Sequence, residues 1–181
     1  MPINANLITR PAPRRVLPTR PSTKTSPAKP TVTPTEATPL VAVIGVGFVG
    51  TGLVDSFSSK YEIMGFDISE NRLDFLRGEF KARPNVSFTS DEFELAKATH
   101  FLISVPTLLR ADRTIDLSYL NSALKRVEQW ARPGCTVVIE SSVSVGLTRQ
   151  LLGPIAQAKG LFAGMSPEVS SSEYCLTLCQ Y

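Results

Sequence analysis

The chain has 181 residues, 43% of them hydrophobic, with a formal charge of +3 and a mean hydropathy near zero. This composition excludes a chain too polar to fold and leaves room for one domain with a true core, with or without a tail. The charge is unevenly spread. Residues 1–39 carry Arg10, Arg14, Arg15, Arg20, Lys24 and Lys29 against Glu36 alone, so that segment stands at +5 and the rest at −2. Basicity belongs to the N-terminal segment, and a nucleic-acid-binding face on the folded part is not indicated.

Residues 1–39 also hold nine of the fourteen prolines, with Ser and Thr between them and no periodic apolar pattern, so a disordered extension is expected. Arg-rich, acid-poor N-termini also resemble organellar transit peptides, but Pro11, Pro13, Pro18 and Pro21 would break the amphipathic helix such a signal uses. No secretory apolar core is visible. The expected compartment is the cytoplasm, with organellar targeting as the alternative.

From residue 40 onward, short apolar runs alternate with amphipathic stretches. "LVAVIG" predicts a buried, β-branched strand; the uncharged run 40–54 is shorter than the roughly 20 residues a membrane span needs. "FVGTGLVDSFSS" predicts a helix turning Val49, Leu53 and Phe57 inward. "YEIMGFD" reads as the second strand, and "SENRLDFLRGEF" as a short helix capped by Ser69 with Leu73 and Leu76 inward. "VSF" is a brief third strand, with a helical turn or two in "DEFELAKA".

"HFLISV" is the fourth strand, ended at Val105-Pro106 because proline cannot continue a central ladder. "DLSYLNSALKRVEQWA" puts Leu117, Leu120, Leu124 and Val127 on one helical stripe. "CTVVIES" is the fifth strand, "GLTRQLLGPIAQA" a helix despite Gly153-Pro154, and "GLFAG" the sixth strand. Such alternation predicts an α/β fold: a three-layer, doubly wound parallel sheet of the Rossmann type. The expected boundaries are an extension at 1–39, the Rossmann domain at 40–168 and a divergent tail at 169–181.

Gly45-x-Gly47-x-x-Gly50 directly follows the first strand and opens the first helix. Dinucleotide binding needs one glycine for the tight turn, one to let main-chain N–H groups approach a diphosphate, and one for close helix-to-strand packing. The anion then meets the positive end of the helix. The bland alternative is a tight strand-to-helix turn with no ligand. Asp67, at the end of the second strand and 17 positions after Gly50, is placed to accept the ribose hydroxyls. Its charge repels a 2′-phosphate, which favours NAD over NADP. Arg72 complicates this, because a guanidinium can grip that phosphate, although a solvated helix-face arginine is the commoner case.

The three cysteines, Cys135, Cys175 and Cys179, argue by their odd number for reduced thiols in an intracellular protein. Cys175 and Cys179 fit i and i+4 of a helix, but two thiols without a neighbouring His make a poor metal site, and no metal is expected. His100, the single histidine, reads as a strand-entry residue with no visible acid partner.

"VAVIGVGFVG", "GFDIS", "LISVPT", "DLSYL", "VVIESSVSVGLTR" and "MSPE", in that order and spacing, resemble the N-terminal NAD-binding domain of the UDP-glucose/GDP-mannose dehydrogenase family, which includes UDP-N-acetylmannosamine dehydrogenases. The resemblance runs from about Val41 to Glu168. It implies NAD as cofactor and, for a complete enzyme, oxidation of the C6 alcohol of a nucleotide sugar to a carboxylate through a thiohemiacetal on a cysteine. It further implies that Gly45, Gly47 and Gly50, with Phe48 and Val49 between them, carry the diphosphate. Asp67 holds the adenosine ribose, Arg72 makes a neighbouring polar contact, and Val105, Pro106 and Thr107 line the cleft.

Glu140, Ser141 and Ser142 match the family's Glu-Ser-Thr near the nicotinamide, where the hydroxyl of Ser142 would help hold a catalytic water. Glu168 matches a glutamate that takes part in substrate handling and acid/base work. On the residues alone, Glu140 reads as an ordinary strand-end carboxylate and Glu168 as a helix-start charge.

The chain also departs from the family. Thr51-Gly52-Leu53 stands where relatives often have Leu-Pro-Leu, and Leu108 where they have a second proline. After Glu168 the correspondence fades, with no Gly-Phe-Gly-Gly-x-Cys segment, and neither Cys175 nor Cys179 has the surroundings of a nucleophile. The expectation is an NAD-binding half of a nucleotide-sugar dehydrogenase that is inactive alone, with no membrane partner. The alternative is a non-catalytic interaction protein that pairs with a full-length dehydrogenase, as a homo- or hetero-oligomer, through the surface the missing parts would cover. A complete small dehydrogenase of another Rossmann family is disfavoured by the lack of a Tyr-x-x-x-Lys or His-based proton relay.

Overall fold

Every second residue of the first strand packs to the same side of a sheet, and here both sides are covered. In the computed structural model, which describes residues 38–166, the strands are β1 (Leu40–Ile44), β2 (Glu62–Phe66), β3 (Val86–Thr89), β4 (His100–Ile103), β5 (Leu108–Leu109), β6 (Ile115–Asp116), β7 (Thr136–Ile139) and β8 (Phe162–Met165). The helices are α1 (Phe48–Phe57), α2 (Glu70–Glu79), α3 (Ser118–Trp130) and α4 (Leu147–Lys159), with a 3₁₀ helix at Glu92–Lys97. Six strands form one parallel sheet in the order β3-β2-β1-β4-β7-β8. Residues 1–37, Glu168, Cys175 and Cys179 lie outside the described residues.

Ala42 and Ile44 of β1 join Phe101, Ile103, Leu120, Leu124 and Leu152 in one apolar cluster, beneath α3 and α4. Val41 and Val43 join Val54, Leu73, Leu76 and Leu102 in the other, beneath α1 and α2. Burial on both faces explains why these strands are continuously apolar rather than alternating, and it yields the three-layer Rossmann arrangement expected from the sequence. The strand order reverses beside β1, the position where open parallel sheets form a crevice. No helix of the described residues is long and apolar enough to cross a membrane.

Local details differ from the sequence reading in three places. On α1 the fully buried residues are Gly50 and Val54; Leu53 and Phe57 pack against the same cluster, partly buried, whereas Val49 borders a cavity instead. The helix rests on its smallest residue because anything larger at position 50 would strike the backbone of Gly45. Leu117 caps α3 instead of opening its stripe; it is partly buried, against the same cluster as Leu120, Leu124 and Val127. As expected from the sequence, α4 continues through Pro154, since burial of Leu152 and Ala156 on either side outweighs one lost backbone bond.

The third difference is a hairpin that the sequence did not suggest. β5 and β6 pair antiparallel, Leu108 with Asp116 and Leu109 with Ile115. The turn holds Arg113 at φ 64°, a left-handed conformation unusual outside Gly, Asn and Asp. The Asp112 carboxylate fixes the turn by accepting from the N–H and hydroxyl of Thr114 at 2.9 and 2.6 Å. Those bonds hold the Asp112 carboxyl below its usual range.

Candidate functional site

Register brings the ends of four strands together. Ile44 pairs with Phe66 of β2 and with Ile103 of β4, and Ile103 pairs with Ile139 of β7. Gly45, Asp67, Ser104 and Glu140 each follow directly on the last paired residue, and all four line one cavity of about 500 Å³.

The glycine loop forms its floor. Gly45 has φ +89°, and a Cβ there would lie 2.5 Å from the Ser104 carbonyl oxygen. A Cβ on Gly50 would lie 2.0 Å from the Gly45 oxygen, whereas one on Gly47 would meet nothing within 4 Å. Two of the glycines therefore allow backbone to pack on backbone, and the third leaves open space at the helix N-terminus. Phe48, 79% exposed, and Val49 border the same cavity.

Asp67 is held by two amides. Val46 N–H donates to its Oδ2 at 3.1 Å and Ser69 N–H to its Oδ1 at 3.0 Å. Each oxygen keeps a further lone pair for an incoming donor. Arg72 reaches the loop from behind: its Nε donates to the Val46 oxygen at 2.9 Å and its Nη2 to Thr51 Oγ1 at 3.0 Å. It lines a neighbouring hollow between α1 and α2, outside the main cavity.

Val105, Pro106 and Thr107 form the opposite rim. The buried Ser141 sets that strip, its hydroxyl accepting from Val105 N–H at 3.0 Å and donating to Val105 O at 2.7 Å. Ser141→Ala is expected to leave both Val105 groups short of a partner and cost about 1–2 kcal/mol. Denaturant unfolding measures the loss, and faster exchange of the Val105 amide locates it. Glu140, 8% exposed, and the exposed Ser142 complete the β7 side.

Of the residues singled out from the sequence, Gly45, Gly47, Phe48, Val49, Asp67, Val105, Pro106, Thr107, Glu140 and Ser142 line the cavity. Gly50 lies under the loop and Arg72 behind it, and Glu168 falls outside the described residues. His100 and Cys135 stand at the opposite ends of β4 and β7: His100 Nδ1 is 2.9 Å from Thr99 Oγ1, and the buried Cys135 thiol donates to Ala98 O. Among the described residues no group of three or more His, Cys, Asp or Glu side chains is arranged to hold a metal ion.

Sequence reasoning missed the wall supplied by α3. Tyr119, Ser122, Ala123 and Arg126 line the cavity at i, i+3, i+4 and i+7, a helical stripe displaced by one position from the apolar one. Helical spacing marks these residues as sharing a face, but not that this face meets a cavity. Arg126 lies 5.5 Å over the Phe66 ring, donates to Ser122 O at 3.1 Å, and makes a close ion pair with Glu92.

Comparison with known proteins agrees with this geometry. Residues 78–172 match the model of the NAD binding domain of the UDP-glucose/GDP-mannose dehydrogenase family. The chain is 31% identical over 145 residues to Protein CapL of Staphylococcus aureus, covering 71% of this chain and 34% of that protein. It is 32% identical over 146 residues to a UDP-N-acetyl-D-glucosamine 6-dehydrogenase of Pseudomonas aeruginosa, covering 71% and 35%. The chain thus spans about a third of the length of these curated relatives.

Among solved structures, a UDP-N-acetylmannosamine dehydrogenase from Pyrococcus horikoshii superposes with a TM-score of 0.67 at 24% identity, covering 73% of this chain and 37% of that one. A GDP-mannose dehydrogenase from Pseudomonas aeruginosa gives 0.63 at 20% identity, covering 78% and 38%. These two share the fold. From its sequence match and its cleft at the strand ends, the chain belongs to the UDP-glucose/GDP-mannose dehydrogenase family and carries that family's NAD-binding domain.

Proposed function

We propose that this chain binds NAD in the cleft at the ends of β1, β2, β4 and β7, as the cofactor-binding part of a nucleotide-sugar 6-dehydrogenase. One observation carries the reading: an amide-fixed carboxylate, Asp67, stands beside a glycine loop whose middle glycine faces open space. The residues fit the group, because Gly45 and Gly50 let the loop pack backbone on backbone while a Cβ at Gly47 would meet nothing within 4 Å, which leaves room for a diphosphate there. Gly47, Phe48 and Val49 present main-chain N–H groups to a diphosphate at the start of α1. Asp67 accepts the two hydroxyls of a ribose, and a 2′-phosphate at that place meets its charge.

At the other end, Val105, Pro106 and Thr107 form one wall for the nicotinamide and Glu140 with Ser142 the other. The bound dinucleotide supplies a hydride acceptor. Glu140 and Ser142 would hold a water and a substrate hydroxyl near it, and the resemblance gives Glu168, outside the described residues, an acid/base role. The named relatives include enzymes acting on UDP-N-acetyl sugars, and a nucleotide sugar oxidised at C6 is the substrate class proposed here. Among the described residues no thiol faces the cleft, Cys135 being buried elsewhere. Binding of cofactor, rather than turnover, is the activity to expect of this chain by itself.

Titration with NADH tests the reading. Trp130 lies one turn beyond Arg126 on the helix that walls the cleft, so bound NADH is expected to quench its emission and gain sensitised fluorescence, saturating below millimolar cofactor. Unchanged fluorescence at millimolar NADH, with no heat on calorimetry, overturns the assignment.

A further inference from the structure

The Arg72 guanidinium sits where it does because another side chain receives it. Nη2 donates to Thr51 Oγ1 at 3.0 Å, while the Thr51 hydroxyl donates its proton to Gly47 O at 2.7 Å. A hydroxyl offers one proton and two lone pairs, so both bonds are made at once. Nε meanwhile donates to the Val46 oxygen at 2.9 Å, and the Phe75 ring lies 5.5 Å from the guanidinium carbon. The cation is therefore fixed on the back of the glycine loop. We propose that Thr51 is a specificity-determining residue: by capturing Arg72 there, it holds the guanidinium of the first turn after Asp67 away from the place a 2′-phosphate would take.

The inference rests on the reading of the cleft as a dinucleotide site. Arg72 belongs to the first turn of α2, and its own N–H is held by the Ser69 cap. A ribose seated at Asp67 puts its 2′ oxygen beside this turn, where an unoccupied guanidinium accommodates the phosphate of NADP. Bonded to Val46 and Thr51, the same group does something else. None of the described peptide bonds is cis; in the trans peptide joining Val46 to Gly47, the carbonyl and the N–H point opposite ways. Arg72 pulls the Val46 oxygen backward and so aims the Gly47 N–H forward, toward the diphosphate. Thr51 thus acts twice: it helps to present the loop that all dinucleotides share, and it keeps from the 2′ position a charge that would favour NADP.

The test compares NADH and NADPH binding to the full chain by fluorescence titration, for the unmodified protein, Thr51→Val, Thr51→Ser and the double variant Thr51→Val/Arg72→Met. Valine keeps the shape of threonine and loses both bonds; serine keeps the hydroxyl. Losing a hydrogen bond to a charged group is expected to shift the NADH-to-NADPH affinity ratio about tenfold toward NADPH in Thr51→Val. Thr51→Ser should keep the original ratio, and the double variant should lose the gain because the cation is gone. An unchanged ratio in Thr51→Val, or equal weakening of both cofactors, overturns the proposal while leaving the cleft assignment intact. If the unmodified protein binds neither dinucleotide, the assignment itself fails and the proposal with it.

Discussion

Gly50→Ala is expected to destabilise the chain by more than about 3 kcal/mol and to abolish NADH binding with it. The added carbon would lie 2.0 Å from the Gly45 carbonyl oxygen, 3.0 Å from its carbon and 3.4 Å from a methyl of Val43. Two of those neighbours are backbone, which cannot rotate aside as a side chain can. To admit a methyl group, α1 must lift from β1 or the loop must give up its turn, and either movement disrupts the bond from Gly45 N–H to Phe66 O at 2.8 Å. Gly52, on the same helix, is the control. A Cβ there meets nothing within 4 Å, so Gly52→Ala is expected to stabilise the chain by about 0.5–1 kcal/mol through helix propensity alone. Urea unfolding of the two variants separates a packing effect from a general property of glycine in helices. Matching curves for both would show that position 50 is not the contact point described above.

The second large effect concerns Asp67. Asp67→Ala is expected to weaken NADH binding about a hundredfold, because it removes the proposed acceptor for the ribose and the brace for the loop together. Val46 N–H and Ser69 N–H, both bonded to this carboxylate, lose their partner. Asp67→Asn should fall between, since one amide oxygen still accepts while the NH₂ now opposes a donor. Isothermal calorimetry with NADH gives the affinities, and thermal melts report how much of the loss comes from the loop. Tight NADH binding by the alanine variant would remove Asp67 from the site.

Much of this was readable without coordinates, for an identifiable reason. A parallel strand buried on both faces must be apolar throughout, so β1, β2 and β4 announced themselves. A dinucleotide loop must have glycines at set spacings, so Gly45, Gly47 and Gly50 were visible as a pattern. Asp67 followed from its place at the end of a recognisable strand. The resemblance of the ordered motifs to a known family added Val105, Pro106, Thr107, Glu140 and Ser142, which local patterns alone do not mark.

What stayed hidden depends on the third dimension. The hairpin of β5 and β6 is two residues deep on each side, too short for alternation to register, and its turn relies on Arg113 in a conformation that no sequence rule assigns to arginine. Tyr119, Ser122 and Arg126 face the cleft only because α3 crosses β4 at a particular angle, and helical spacing by itself cannot say which of two adjoining stripes will face a cavity. Sequence by itself determined the class of fold, the glycine loop and the acid beside it, because backbone sterics and the burial of strands act locally and leave a local mark. Only the tertiary structure decided where Arg72 points. A long, flexible cation takes its place from whichever acceptors the fold brings within reach, here a threonine 21 residues earlier and a carbonyl 26 residues earlier in the chain.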